Sequence, residues 1–413
     1  MRTKNSTRAF VLTLLFLTSC SDGIERHGDP NIMSGIDHAA ITVCEEGCDH
    51  TMIQSALDNL NQGESSIITI LDPVHTEEGI VIAKEVIIEG LGYEKTIVQA
   101  HEQFAEALDT VFYIKPGSDV TLRNMTIQHG NRREKPWSGG GIMNEGTLNI
   151  ENCIIQKNVA NDSGGIWNMG NLTISHSTIT ENHTNKSAPS GFDCGSGAGI
   201  FNGVGSRLTI SKSTISYNHA RGKGSGLHIA CDSSATLINT TVSNNESTKL
   251  GGGIHLRGSL FLINSTIANN HANKGAGGIH IRGDFNAINS IITYNTTSYN
   301  TPLDCVLEQG EIPAINTNEN NFIGDGTCDA EFSGDPKLDD LGYYGGPTET
   351  HAIRPGSPVI DRAESYKCES FDQRDYTRPV IRRSAQSPCD LGAVELQSNK
   401  GIHLPVWLIN MFP

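Results

Sequence analysis

The chain has 413 residues, 44 of them Gly and 34 Asn, with only 18% charged and 6% aromatic side chains. Gly and Asn disfavour helix interiors, so a helix bundle is excluded, and Gly without a three-residue period excludes collagen. The formal charge of −16 repels phosphate backbones, so nucleic acid is excluded as a partner.

Arg2, Lys4 and Arg8 precede an apolar run from Phe10 to Leu17. The run is far shorter than the roughly 20 residues that span a bilayer, so 1–19 reads as an export signal. It ends in Leu17-Thr18-Ser19-Cys20, which resembles the bacterial lipobox, whose Cys becomes the lipidated first residue of the mature protein. That resemblance implies a membrane partner through an acyl anchor on Cys20. Ser21 in place of Asp implies the outer membrane, at its surface or periplasmic face. An ordinary signal with a chance Cys is the alternative. Residues 20–43 read as a linker.

Export permits disulfides. Proximity in sequence suggests Cys44–Cys48, Cys194–Cys231, Cys305–Cys328 and Cys368–Cys389, with Cys153 left over, although spacing alone does not fix connectivity. Paired CxxC spacing is absent, so neither a metal nor a cofactor is expected.

The solenoid with its N-terminal cap is expected over 44–300. Thr51 to Leu60 reads as a short amphipathic helix, followed by strands at Ile67–Leu71, Ile80–Ile82 and Val86–Glu89. A helix laid over an exposed sheet end protects it. Val111–Ile114 and Val120–Ile127 lead into a repeat over 139–295. There a Gly cluster precedes one aliphatic residue at Ile142, Ile166, Ile200, Leu227, Ile254 and Ile279. The spacings are 24, 34, 27, 27 and 25 residues, and the longest unit must loop out at about 184–197, which contains Cys194. A later apolar column, Ile155, Ile179, Ile215, Val242, Ile267 and Ile292, is followed three residues on by Asn158, Asn182, Asn218, Asn245, Asn270 and Asn295. Two residues before that column come Cys153, Ser177, Ser213, Thr240, Ser265 and Ser290, so Cys153 reads as a buried free thiol.

A period near 25 with two or three short strands per unit predicts an all-β right-handed parallel β-helix, in which like residues stack about 4.8 Å apart. Asn suits the left-handed backbone of a sharp corner and can bond to the Asn above and below. The Gly clusters supply the other corner, where φ can be positive. The units resemble the GGI-plus-xxN repeats of bacterial polymorphic outer-membrane proteins and other pectate-lyase-like β-helices. This fold carries many functions, so the resemblance speaks for the fold.

One outward column stands out. After the Gly-aliphatic step come Trp167, Phe201, His228, His255 and His280, and two residues beyond the last two come Arg257 and Arg282. Alternation turns Ile254 and Leu256 in, so His255 and Arg257 face away from the core. Stacked His and Arg would make a cationic stripe able to hold a uronate or sulfate, with Trp167 and Phe201 stacking on sugar rings. Ladders copied by repeat duplication would give the same column without a ligand. A second ladder, His183, His219 and His271, follows the Asn corner.

The last coils and an irregular, disulfide-rich cap are expected over 301–396, then an apolar tail over 397–413, too short to span a membrane. The end segment carries Gly345-Gly346-Pro347-Thr348-Glu349-Thr350-His351, Pro355-Gly356-Ser357-Pro358-Val359-Ile360-Asp361, Asp372-Gln373-Arg374 and Cys389-Asp390-Leu391-Gly392-Ala393-Val394-Glu395. This succession is similar to choice-of-anchor Q domain proteins, exported bacterial β-helix proteins with varied anchoring devices. The resemblance covers about 45–396 and implies fold and location, since the family has no settled activity. One departure is Asp375, where the family usually has Gly, which puts the turn there in doubt. Asp361, Asp372, Arg374 and Arg378 read as buried pairs that lock the cap.

The polygalacturonase motifs Asn-Thr-Asp, Gly-Asp-Asp and Gly-His-Gly do not occur, and no acid cluster for a Ca²⁺-dependent lyase is visible. The expected function is non-catalytic envelope display, adhesion or polysaccharide binding by a lipid-anchored monomer. A lyase or hydrolase acting on acidic polysaccharide is the alternative, and a structural spacer the second.

Overall fold

Each coil turns at identifiable residues. In one coil Ile142–Asn144 is the first strand, Gly146 follows, and Thr147–Glu151 is the second strand. Asn152 takes a left-handed backbone (φ 52°) before the third strand, Ile154–Gln156. Lys157 (φ 53°) then leads to a two-residue fourth strand, Val159–Ala160. A loop returns to Gly164-Gly165 and the next coil. The strands stack into four ladders of nine, eleven, ten and eight among the described residues, parallel except for one terminal pair. The computed structural model describes residues 41–61, 66–135, 139–185, 196–308, 315–364, 367–380 and 388–397. The expected leader, Cys20, Cys194 and the tail from 398 lie outside the described residues.

Like residues stack as expected: Leu148 lies over Leu172 and Ile150 over Ile174, then Leu172 over Leu208 and Ile174 over Ile210. All are buried, and each contributes on the order of 1.5–3 kcal/mol of apolar burial. The fold is a right-handed parallel β-helix, the hand that parallel crossovers take in almost every case.

The Asn column bonds as expected but sits in a different backbone conformation. The Asn158 Nδ2 donates to Asn182 Oδ1 at 3.0 Å, and the chain of amides continues through Asn218, Asn245 and Asn270 to Asn295. The left-handed residue is the one before each Asn: Lys157, Glu181, Tyr217, Asn244, Asn269 and Tyr294. Each ladder Asn instead turns its amide into the core. The paired Gly column exists to make room for it. A Cβ on Gly253 would lie 3.0 Å from Asn270 Nδ2 and 2.9 Å from the Gly278 carbonyl oxygen. Gly253 needs space, not positive φ, while the first Gly of its cluster, Gly251, has the positive φ expected of that corner (64°). Left-handed Asn does occur at the other corner, as Asn124, Asn152, Asn239, Asn264, Asn289 and Asn320, with His176 and Lys212 in that column.

Inside, Ser177, Ser213, Ser265 and Ser290 form a hydroxyl ladder. Each receives the backbone N–H of the coil before, as in Cys153 N to Ser177 Oγ at 3.0 Å. Cys153 is a buried free thiol, and burial pushes its pKa up to about 12.

Helix α1 (Ile53–Asn59) packs Ile53, Ala56 and Leu57 against the first coils. Its first amides, Ile53 and Gln54, donate to the Glu77 carboxylate at 2.7 and 3.0 Å. Lys84 donates to the carbonyls of Leu57 and Leu60. Solenoid side chains thus satisfy both helix ends. The solenoid begins within the expected linker, because Ile41–Val43 pairs with Ser66–Ile70.

Disulfides Cys44–Cys48, Cys305–Cys328 and Cys368–Cys389 are formed. Three such bonds belong to an oxidising compartment, extracellular or periplasmic. The irregular C-terminal cap also runs back along the third ladder. Gly392 N donates to Asn289 O at 2.8 Å, Ala393 N to Thr266 Oγ1 at 3.0 Å, and Thr241 Oγ1 to Gln373 Oε1 at 2.6 Å. Gln373 Nε2 reaches Thr214 Oγ1, one coil further back, at 3.0 Å. Within the cap, buried Asp372 accepts from Arg374 N and Nε and from Glu395 N at 2.8 to 3.0 Å. Buried Arg378 donates to the Gly392 carbonyl. Asp372, Arg374 and Arg378 are buried and lock the cap as expected, whereas Asp361 is only half-buried.

Candidate functional site

The expected cationic stripe is a real column but not an accessible one. Trp167 pairs with Phe201, Phe201 with His228, His228 with His255 and His255 with His280 in register. The rings lie 5.4, 4.8 and 5.7 Å apart from Phe201 to His280. Relative exposure is 7% at Trp167, 4% at Phe201, 0% at His228 and His255, and 4% at His280. The cause is the returning loop. Gly224, Gly251 and Gly275 take left-handed backbones (φ 61°, 64° and 63°) and let it fold over the strand. A Cβ on Gly224 would meet His255 Cβ at 3.0 Å, and one on Gly275 would meet His280 Nδ1 at 2.5 Å. Met143, Trp167, Phe201 and Ala230 form a satellite apolar cluster with Tyr113.

Burial holds His255 well below its ordinary pKa, and neighbouring His228, Lys223, His280 and Arg282 add to the effect. Neither ring nitrogen of His255 has a hydrogen-bond partner among the described residues. Burial also lowers His280, although Glu308 opposes this. Glu308 binds His280 Nε2 at 2.8 Å and pairs with Arg282. Arg257 is half-buried at the strand end. The column is therefore neutral at its centre and covered, which corrects the expectation of a surface anion site. In the second His ladder Glu246 separates His219 from His271.

A different outward column is open. The last residues of successive second strands, Glu89, Arg123, Glu151 and Ser175, stack in register. With the corners Asn124, Asn152 and His176 they floor a cleft of about 880 Å³. Loop 91–95, carrying Leu91 and Tyr93, walls one side, and the cap residues Gly346, Pro347 and Asp375 wall another. The loop is held from beneath: Gly92 N donates to Asn124 O at 3.0 Å, Leu91 N to Thr96 Oγ1 at 2.9 Å and Thr126 Oγ1 to Tyr93 O at 2.7 Å. On the floor Asn152 Nδ2 donates to Asn124 Oδ1 at 2.8 Å. Arg123 binds Glu89 through Nε at 2.7 Å and Nη2 at 2.6 Å.

Asp375 has φ 66°, the left-handed backbone that favours Gly. Its carboxylate accepts from His176 Nε2 at 3.1 Å and pairs with Lys212. Burial pushes the Asp375 carboxyl up, but His176 and Lys212 together hold it below its ordinary value. Among the described residues no group of three or more His, Cys, Asp or Glu is placed to hold a metal ion. No described helix is long and apolar enough to cross a membrane.

No family model and no curated sequence matches the chain. Several solved structures are similar to the chain at low identity. The pectate lyase Pel9A is 11% identical, with 84% of this chain and 91% of that one covered and a TM-score of 0.46. A pectin methylesterase from Aspergillus niger is 15% identical over 74% and 91%, with a TM-score of 0.39. The A-module of the Azotobacter vinelandii mannuronan C-5 epimerase AlgE6 is 11% identical over 69% and 94%, with a TM-score of 0.28. The ladders of the chain itself establish it as a parallel β-helix.

Proposed function

We propose that the chain is an exported, lipid-anchored envelope protein of the choice-of-anchor Q kind that binds a glycan without cleaving it. The observation that carries the glycan reading is the corner cleft. It joins ordered amides, paired charges and one aromatic ring in a rigid setting, as saccharide binding requires. Hydrolysis by two carboxylates needs a protonated acid and a free base flanking the bond. Of the four carboxylates that line the cleft, Glu89 is tied to Arg123 and Asp375 is held as the anion by His176 and Lys212, so neither of these two is placed to give up a proton. The lipobox-like Leu17 to Cys20 supports the anchor, and the three disulfides support export.

A glycan array probed with the full chain in detergent tests the binding reading, and bound saccharides are expected to be recovered intact. Release of unsaturated uronides from acidic polysaccharide would overturn the non-catalytic reading. Palmitate labelling in a bacterial host should require Cys20, and a Cys20→Ala chain that still labels would overturn the anchor.

A further inference from the structure

We infer that the corner cleft takes a saccharide segment without acid groups, lying along the solenoid axis across four coils. The inference rests on the glycan-binding reading and names its ligand class. Glu89, Arg123, Glu151 and Ser175 come from four consecutive coils. Three coil steps at about 4.8 Å make a floor about 14 Å long, suited to a short oligosaccharide. The floor offers a repeating polar edge to hydroxyls. The Tyr93 ring and Pro347 offer apolar faces to the C–H faces of sugars.

Charge selects the class. The lining carries the carboxylates Glu89, Glu94, Glu151 and Asp375 against the cations Lys95 and Arg123. Arg123 is already bound to Glu89, and His176, which also faces the cleft, is bound to Asp375. A uronate or sulfate would bring like charge into a site whose main guanidinium is committed. An uncharged chain meets hydrogen-bond partners without that repulsion.

The end motifs acquire a purpose here. Gly346 packs on the Asp-Gln-Arg segment so closely that a Cβ would lie 2.6 Å from Arg374 Cα. Gln373 Nε2 donates to Thr348 Oγ1 and to Glu349 O, each at 3.0 Å. The Gly-Gly-Pro-Thr and Asp-Gln-Arg stretches thus fix Pro347 and Asp375 as one wall. That wall and the hydrogen-bonded loop 91–95 are set before a ligand arrives, which lowers the ordering cost of binding.

Calorimetry on the full chain in detergent, with cellotriose, maltotriose, xylotriose and chitotriose against trigalacturonate, tests the inference. At least one uncharged trisaccharide should bind and trigalacturonate should not. Tyr93→Ala should weaken binding about tenfold or more, Tyr93→Phe should largely restore it, and Glu151→Lys should raise the response to trigalacturonate. Each variant is checked for an unchanged melting transition. Binding of trigalacturonate alone overturns the uncharged class and leaves the glycan reading standing. A folded Tyr93→Ala, Glu151→Lys chain that binds as tightly as the parent overturns the location. Silence across this panel and across an array of neutral and acidic glycans overturns both.

Discussion

Two columns of this solenoid point away from the core, and they have opposite fates. The column from Trp167 through His255 to His280 lies beneath a returning loop and is buried. The column from Glu89 through Arg123 to Glu151 opens into the cleft: Arg123 and Glu151 end at tight two-residue corners, and the longer loop after Glu89 stands at the side as a wall. Strand alternation separates core from non-core. It does not separate covered from exposed, because that depends on the length and path of the connections around it. The buried column lies on the first strand, which in each coil is preceded by a fourth strand and a Gly-rich return, whereas Arg123, Glu151 and Ser175 of the open column are each followed by a left-handed residue, Asn124, Asn152 and His176.

The sharpest way to break the contrast is to lift the loop. Gly275→Ala places a Cβ in a left-handed backbone and against His280. It is expected to cost about 2–3 kcal/mol in denaturant unfolding, whereas Ser175→Ala on the cleft floor should change stability by less than about 0.5 kcal/mol. An equal cost at both would remove the distinction.

Acid should act on the buried column next. The folded-state pKa of His255 is depressed below its unfolded value by burial, with Lys223 and Arg282 adding repulsion, while Glu308 faces only the His280 end. The unfolded chain therefore binds more protons, and stability present above the unfolded His value, near 6.5, is lost as pH falls below it. A loss on the order of 1–2 kcal/mol between pH 7 and pH 5 is expected in chemical denaturation. His255→Phe, which extends the aromatic run from Trp167 and Phe201, should remove part of that slope. An unchanged slope in His255→Phe would count against a neutral, sealed column.

At the cleft, Asp375→Ala loses two partners and leaves Ala in a left-handed turn, at about 1–2 kcal/mol. Asp375→Gly keeps the turn and should cost less. The smallest effect is expected at Phe261, an outward second-strand residue that is 47% exposed. Phe261→Ser should leave the melting temperature and saccharide binding unchanged, because nothing covers it and it lies outside the cleft lining.

Much of the fold was legible because a coil copies its solution. The Ile columns, the Asn ladder and the buried Cys153 follow from a period near 25, and the three disulfides from proximity in sequence. The backbone role of the Asn was misread, since periodicity cannot tell a left-handed residue from its neighbour. The amides of Asn158 to Asn295 turn inward, and only the matching Gly column, seen in three dimensions, explains both. The cleft was not legible. Its parts stand at 89, 91–95, 123–124, 151–152, 175–176, 346–347 and 375, and they meet because the cap runs back along the third ladder. The one sequence signal was the unexpected Asp375, which proved to tie that wall to His176 and Lys212.

The most direct measurement compares saccharide affinity in two folded variants, Tyr93→Ala in the cleft and His255→Phe in the buried column. Loss of binding in Tyr93→Ala, with His255→Phe matching the parent, is the expected result. Full binding in Tyr93→Ala together with loss in His255→Phe would contradict it and return the site to the column beneath the loop.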